Sequence, residues 1–247
     1  MLNGKLRITE LLISVKNVDE ALLALGAGAD IIDLKDPSVG ALGALDLSQT
    51  ERIVQAINGC GYVSATVGEG HATLNELMTD IHARARLGVD IIKIAVSTLF
   101  YEPSFIVELK KLTSKGVKII AVFFADEEIN LNLLAKLQET GFFGAMLDTK
   151  NKQHDLLAAQ TTKTLRLFTQ LCHKHCLKSG FAGSLKPHHI DRLVKFSPIF
   201  IGFRGGVCEN SQRNSELSKA KVIDIRNMLR EHNRLDEKAQ ENLVGVA

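Results

Sequence analysis

Short apolar runs rich in β-branched and aromatic residues recur along the chain, at 11–15, 30–34, 62–67, 90–96, 118–124, 143–147, 177–182 and 199–203. Each has the length and composition of a strand. Between them lie segments whose apolar positions follow helical spacing, among them 19–25, 74–87, 103–115, 127–139, 163–175 and 187–196. Strands that are apolar on both faces need cover on both sides, which implies a parallel sheet with crossover helices. Eight such units in 247 residues predict a single-domain α/β fold, a (β/α)8 TIM barrel with eight parallel strands, in preference to a doubly wound open sheet. Residues 1–10 and 233–247 read as peripheral or frayed.

A weak internal echo agrees: LGAGADIIDLK at 25–35, LGVDIIKIA at 87–95 and TGFFGAMLDTK at 140–150 each read as helix end, glycine turn, strand. Charges then stand out where a buried strand should lack them. Alternate strand residues share a face, so if Ile32 and Leu34 pack on helices, Asp33 and Lys35 project into the barrel. The same parity joins Ile91 with Lys93 and Met146 with Asp148. Ionised groups are costly to bury unpaired. One reading is a structural Lys–Asp pair closing the barrel. The other places Lys35, Lys93 and Asp148 at the carboxyl ends of strands, where such barrels keep their active sites. There a lysine near a second cation, its pKa lowered, attacks carbonyls as a free amine, while neighbouring carboxylates orient it. Lys152 either joins this group or is a solvated loop charge.

The predicted seventh and eighth strands end in Ala182-Gly183-Ser184-Leu185 and Phe203-Arg204-Gly205-Gly206-Val207. Barrels of this type often bind phosphate there, because small residues expose backbone N–H groups. Gly183, Ser184, Gly205 and Gly206 would supply that backbone and Arg204 a bidentate fork, with Arg213 and the stretch 209–214 either completing the cradle or lying on the surface.

Composition limits the partners. Thirty basic against 28 acidic residues, well mixed, leave a net charge of +2 and no stripe suited to nucleic acid. No apolar run spans a membrane and the start MLNGKLRITE lacks the order of a secretory signal, so a cytoplasmic location without membrane attachment is expected. The four cysteines, Cys60, Cys172, Cys176 and Cys208, are too sparse for a disulfide framework. Cys172 and Cys176 share a helix face, but His173 and His175 do not complete a zinc set with them, so no metal is expected. His188 and His189 read as exposed capping-turn residues, and His71 as facing the predicted mouth.

Six blocks together resemble the (5-formylfuran-3-yl)methyl phosphate synthase family, also called 4-(hydroxymethyl)-2-furancarboxaldehyde-phosphate synthase. They are IIDLKDPSVGALGA at 31–44, SATVGE at 64–69, IIKIAV at 91–96, AMLDTKNK at 145–152, GFAGSLK at 180–186 and GFRGGVCENSQRN at 202–214. The resemblance implies a TIM-barrel lyase, aldolase-like, that joins two molecules of glyceraldehyde 3-phosphate into a furan aldehyde phosphate for methanofuran-type cofactors. By that resemblance Lys35 forms the Schiff base, Lys93 accepts a proton, and Asp33, Asp148 and Lys152 share the site. It implies no metal or organic cofactor, a small phosphorylated triose as partner, and leaves room for a homo-oligomer. Two departures stand out: the loop after Gly68 is shorter than in the family, and Lys16 replaces a proline of the archaeal relatives. Rival readings are another Schiff-base aldolase acting on triose phosphates and a noncatalytic phosphate-ligand binder.

Overall fold

The computed structural model describes residues 8–244, the side chains of 236 and 239–244 excepted. Eight strands, β1 (Glu10–Val15), β2 (Ile31–Leu34), β3 (Tyr62–Thr66), β4 (Ile91–Ala95), β5 (Lys118–Phe124), β6 (Gly144–Asp148), β7 (Lys178–Phe181) and β8 (Phe200–Phe203), close into a barrel in chain order. Every neighbouring pair is parallel, including β1 with β8. The expected fold class is therefore the observed one.

The strand parity read from the sequence holds. Ile32 and Leu34 join the large cluster between barrel and helices, whereas Ile31 faces inward with Leu12, Ile91, Ile120, Val122 and Met146. That inner cluster also contains Ala41 and Leu42 of the loop after β2, so this loop dips into the barrel and fills part of it. The Thr66 hydroxyl donates to Gly43 O (2.9 Å) and the Glu69 carboxylate accepts from Leu42 N (2.5 Å), which holds the inserted loop down.

Around the barrel run α1 (Val18–Gly26), α2 (Leu47–Ile57), α3 (Leu74–Arg86), α4 (Pro103–Thr113), α5 (Leu133–Thr140), α6 (Leu156–Ala159), α7 (Thr162–Lys174), α8 (Ile190–Leu193) and α9 (Lys219–Val244). Side-chain caps start several of them: Asn17, Asp46, Thr73, Asp155 and Thr161 each accept a backbone N–H three residues on. The glycine turns of the echo end helices as expected. Gly141 caps α5 at φ 84°, and a Cβ there would lie 2.8 Å from Thr113 Oγ1.

Three expectations change. The segment 127–139 is helical only from Leu133, because residues 127–132 turn before the helix begins. The segment 187–196 is one turn of α8 between two 3-10 turns. Of the termini read as peripheral or frayed, 1–7 and 245–247 lie outside the described residues, while Thr9 is buried, Glu10 begins β1, and the stretch from 233 continues α9 to Val244. Its seating is specific: Asn233 donates to Thr9 O (3.1 Å) and accepts from Thr9 N (2.9 Å). None of the helices among the described residues is long and apolar enough to cross a membrane.

Candidate active site

A cavity of about 330 Å³ opens at the carboxyl end of the barrel. Its lining carries six basic side chains, Lys35, Lys93, Lys152, Lys186, Arg204 and Arg213, against the carboxylates of Asp33, Asp148 and Asp155. That excess favours an anionic guest. Glycine makes room for the cavity floor. A Cβ on Gly202 would come within 3.1 Å of Leu12 and 3.3 Å of Met146, and one on Gly180 would collide with the Phe200 ring.

Asp33 stands level with Ser14 on β1 and Ser64 on β3, so both hydroxyls reach it across the ladder. Ser14 Oγ donates to Asp33 Oδ2 (2.9 Å), Ser64 Oγ to Oδ1 (2.7 Å), and Lys93 Nζ lies 2.6 Å from Oδ1. Asp33 is fully buried and Lys93 is 2% exposed. Burial pushes the Lys93 pKa below the ordinary lysine value; Asp33 opposes that shift and Lys35 adds to it.

Asp148, at the end of β6, is shared by two amines. Lys35 Nζ is 3.2 Å from Oδ2 and Lys152 Nζ is 2.7 Å from Oδ1, which also accepts from Thr149 N (2.7 Å). Lys152 donates in addition to Thr149 O. Burial alone would raise the Asp148 pKa, but Lys35, Lys152 and Lys93 outweigh it and hold the carboxyl well below the usual range. Burial lowers the Lys152 pKa against the pull of Asp148, and Lys35 lowers it further. The structure thus gathers Asp33, Lys35, Lys93, Asp148 and Lys152 around one cavity, and Lys152 is a member rather than a solvated loop charge.

The loops after β7 and β8 also line this cavity. Their backbones touch, since a Cβ on Gly206 would strike Leu185 O. Gly183 at φ 105° passes so close to Thr149 N that a Cβ would lie 2.8 Å away. Among the described residues, the N–H groups of Gly183, Ser184, Gly205 and Gly206 donate to no protein acceptor. Ser184 Oγ is occupied with Lys152 O (3.0 Å).

Arg204 departs from its expected role as a phosphate fork. Nε donates to Arg213 O (2.7 Å), Nη1 to Ser14 O (3.1 Å) and Glu20 Oε2 (2.5 Å), and Nη2 to Glu20 Oε1 (3.1 Å) and Ser215 O (3.0 Å). All five N–H donors of a guanidinium are thereby engaged. Arg213 is the arginine whose donors remain available, with one contact, Nη2 to Gly40 O (2.9 Å).

The histidine and cysteine expectations resolve locally. His71 does not line the cavity; Nε2 pairs with Asp80 (2.8 Å) at α3. His188 is exposed, but His189 is buried and accepts from Lys186 N (3.2 Å). Cys172 lies in the core, where burial pushes its thiol pKa up, while Cys176 is exposed. Lys16 lies at the same barrel end, donating to Asn214 O (2.8 Å) outside the cavity lining. Sequence reasoning missed Ser14, Ser64 and Glu20. The first two were visible as hydroxyls on inward-facing strand positions; nothing local marked Glu20 as the partner of Arg204.

A family model described as 4-HFC-P synthase matches residues 11–226. The chain is 39% identical over 227 residues to a Methylorubrum extorquens protein named, provisionally, a (5-formylfuran-3-yl)methyl phosphate synthase, covering 92% of this chain and 94% of that one. It is 32% identical over 223 residues to the (5-formylfuran-3-yl)methyl phosphate synthase of Methanosarcina acetivorans, covering 83% and 93%. Among solved structures, phosphoribosyl anthranilate isomerase from Thermus thermophilus superposes with a TM-score of 0.63 at 13% identity, covering 90% of this chain and 99% of that one, a likeness of fold.

Proposed function

The chain belongs to the 4-HFC-P synthase family, and from that membership we propose that it condenses two molecules of D-glyceraldehyde 3-phosphate into (5-formylfuran-3-yl)methyl phosphate through a Schiff base on Lys35. The observation that carries this reading is the meeting of three amines and two carboxylates in one cavity. A single proton transfer would not call for such a set.

Two trioses, less the furan product, leave one phosphoric acid and two waters, so the conversion is redox-neutral and belongs with the lyases. Lys35 as free amine adds to a triose carbonyl, and loss of water gives the iminium. The iminium acidifies the adjacent C–H, and Lys93, in the neutral form that burial favours, removes that proton to give an enamine. The enamine carbon attacks the aldehyde of the second triose. Phosphate loss, ring closure and dehydration follow, each needing a proton delivered or withdrawn. Lys152 and Asp148 stand where they can serve those steps: an ammonium protonates a leaving oxygen, and the carboxylate steadies each cationic stage. Asp33 fixes Lys93, and the two hydroxyls fix Asp33. The open N–H groups of Gly183, Ser184, Gly205 and Gly206 suit a phosphate.

The test incubates pure protein with glyceraldehyde 3-phosphate and follows the furan aldehyde chromophore and product mass, with a parallel sample reduced by borohydride and digested. The expected result is the furan phosphate and a reduced triose adduct on the Lys35 peptide, both absent in Lys35→Ala. Active triose that yields no furan, or an adduct on another lysine, overturns the proposal. A different condensation product with the Lys35 adduct intact would instead assign another aldolase reaction on triose phosphates.

A further inference from the structure

We propose that Arg213 is the side chain that selects phosphorylated over unphosphorylated trioses, and that Arg204 is a positioning residue that presents it. This rests on the imine reading above and adds to it the residue that recognises the substrate's anionic end.

The argument starts from how each cavity cation is used. Lys35 and Lys152 are paired with Asp148, Lys93 with Asp33, and Arg204 with Glu20. Lys186 is exposed. Among the described residues, Arg213 is the cavity-lining cation that is partly withdrawn from solvent yet has no carboxylate within 4.0 Å. One of its five N–H donors is spent on Gly40 O. The other four form a planar fork of the kind that binds phosphate in bidentate fashion. Its surroundings fit the assignment: Gly205 packs against it, a Cβ there lying 3.7 Å from Arg213 N and 3.8 Å from Arg213 Cβ. Arg213 therefore stands beside the open N–H groups of the β8 loop.

Arg204 explains why the fork is held there. Its donors close on the carbonyls of Arg213 and Ser215, two residues apart in one loop, while Glu20 and Ser14 O anchor its other edge to α1 and β1. A guanidinium fixed on four sides presents the backbone of Arg213, and so aims its side chain, without itself meeting substrate.

The experiment compares the rate of borohydride-trapped adduct at Lys35 for glyceraldehyde 3-phosphate and for unphosphorylated glyceraldehyde, in the wild type, Arg213→Gln and Arg213→Lys, with inorganic phosphate as competitor. In Arg213→Gln the preference for the phosphorylated triose should fall by about tenfold or more, as for loss of a charge-assisted bidentate contact, and phosphate competition should weaken in parallel. Arg213→Lys should recover part of both, because it restores charge without the fork. A folded Arg213→Gln protein with unchanged preference and unchanged phosphate competition overturns the proposal. If that variant does not fold, the wild type decides. Inorganic phosphate should protect Arg213 from phenylglyoxal labelling read by peptide mass spectrometry; labelling of Arg213 indifferent to phosphate overturns the assignment. A wild type that traps neither triose refutes the imine reading itself, a result distinct from either of these.

Discussion

Lys93 and Asp33 form a 2.6 Å ion pair whose side chains are 3% and 1% exposed. A pair so withdrawn from water survives because each charge answers the other and two serine hydroxyls take up the remaining carboxylate positions. Removing one partner strands the other. Asp33→Ala should lower unfolding free energy by about 3–5 kcal/mol, and the double variant Asp33→Ala/Lys93→Met should recover part of that loss. Urea titration of the wild type, Asp33→Ala, Lys93→Met and the double variant checks this. A double variant as unstable as the sum of the single changes contradicts the pairing.

The second prediction concerns acid. Asp148 titrates in the folded chain well below its ordinary range. A carboxyl with a depressed folded pKa contributes stability that is complete above its unfolded pKa and is lost as pH falls towards the folded value. Unfolding free energy should therefore begin to decline below about pH 4, and Asp148→Asn should flatten that decline relative to the wild type. Lys93 and Lys152, whose pKa values are lowered, act in the opposite range: their cost to the fold is relieved as pH rises towards the unfolded lysine value.

Arg204 and Glu20 make the third case. Glu20 is 5% exposed, and the guanidinium meets both its oxygens. Arg204→Met should cost about 3–5 kcal/mol of stability, read by calorimetry, with Arg204→Met/Glu20→Gln milder than Arg204→Met alone. A merely superficial ion pair would cost about 1 kcal/mol or less.

Gly180 supplies the fourth. A methyl group there meets the Phe200 ring inside the barrel. Gly180→Ala should destabilise by about 1–3 kcal/mol through overpacking. The companion Phe200→Leu should restore part of it by vacating the ring's edge, again by urea titration.

The strand alternation of this chain is easy to read because both strand faces are apolar, and a charge at Asp33 or Lys93 then breaks the pattern visibly. Position within a strand fixes direction, so two letters are enough to send Asp33 and Lys35 to one side. The role of Arg204 was not readable by such means. FRGG shows a cation beside glycines, but the carboxylate that claims it lies 184 residues earlier on α1. Helix α9 was half-hidden for a different reason: Val222, Ile225 and Leu229 carry a buried stripe, yet the charged residues that follow dilute it. The insertion of Ala41 and Leu42 into the barrel was invisible as well, since an apolar pair in a loop says nothing about which cavity it will fill.

That insertion has a geometric outcome for catalysis. With Leu42 in the inner cluster beside Ile120 and Phe124, the chamber is lined from β1, β2, β4, β6, β8 and the loops after β6, β7 and β8, and among the described residues none of β3 or β5 lines it. Under the proposed imine chemistry, a second triose would reach an enamine on Lys35 through the space that these strand ends line.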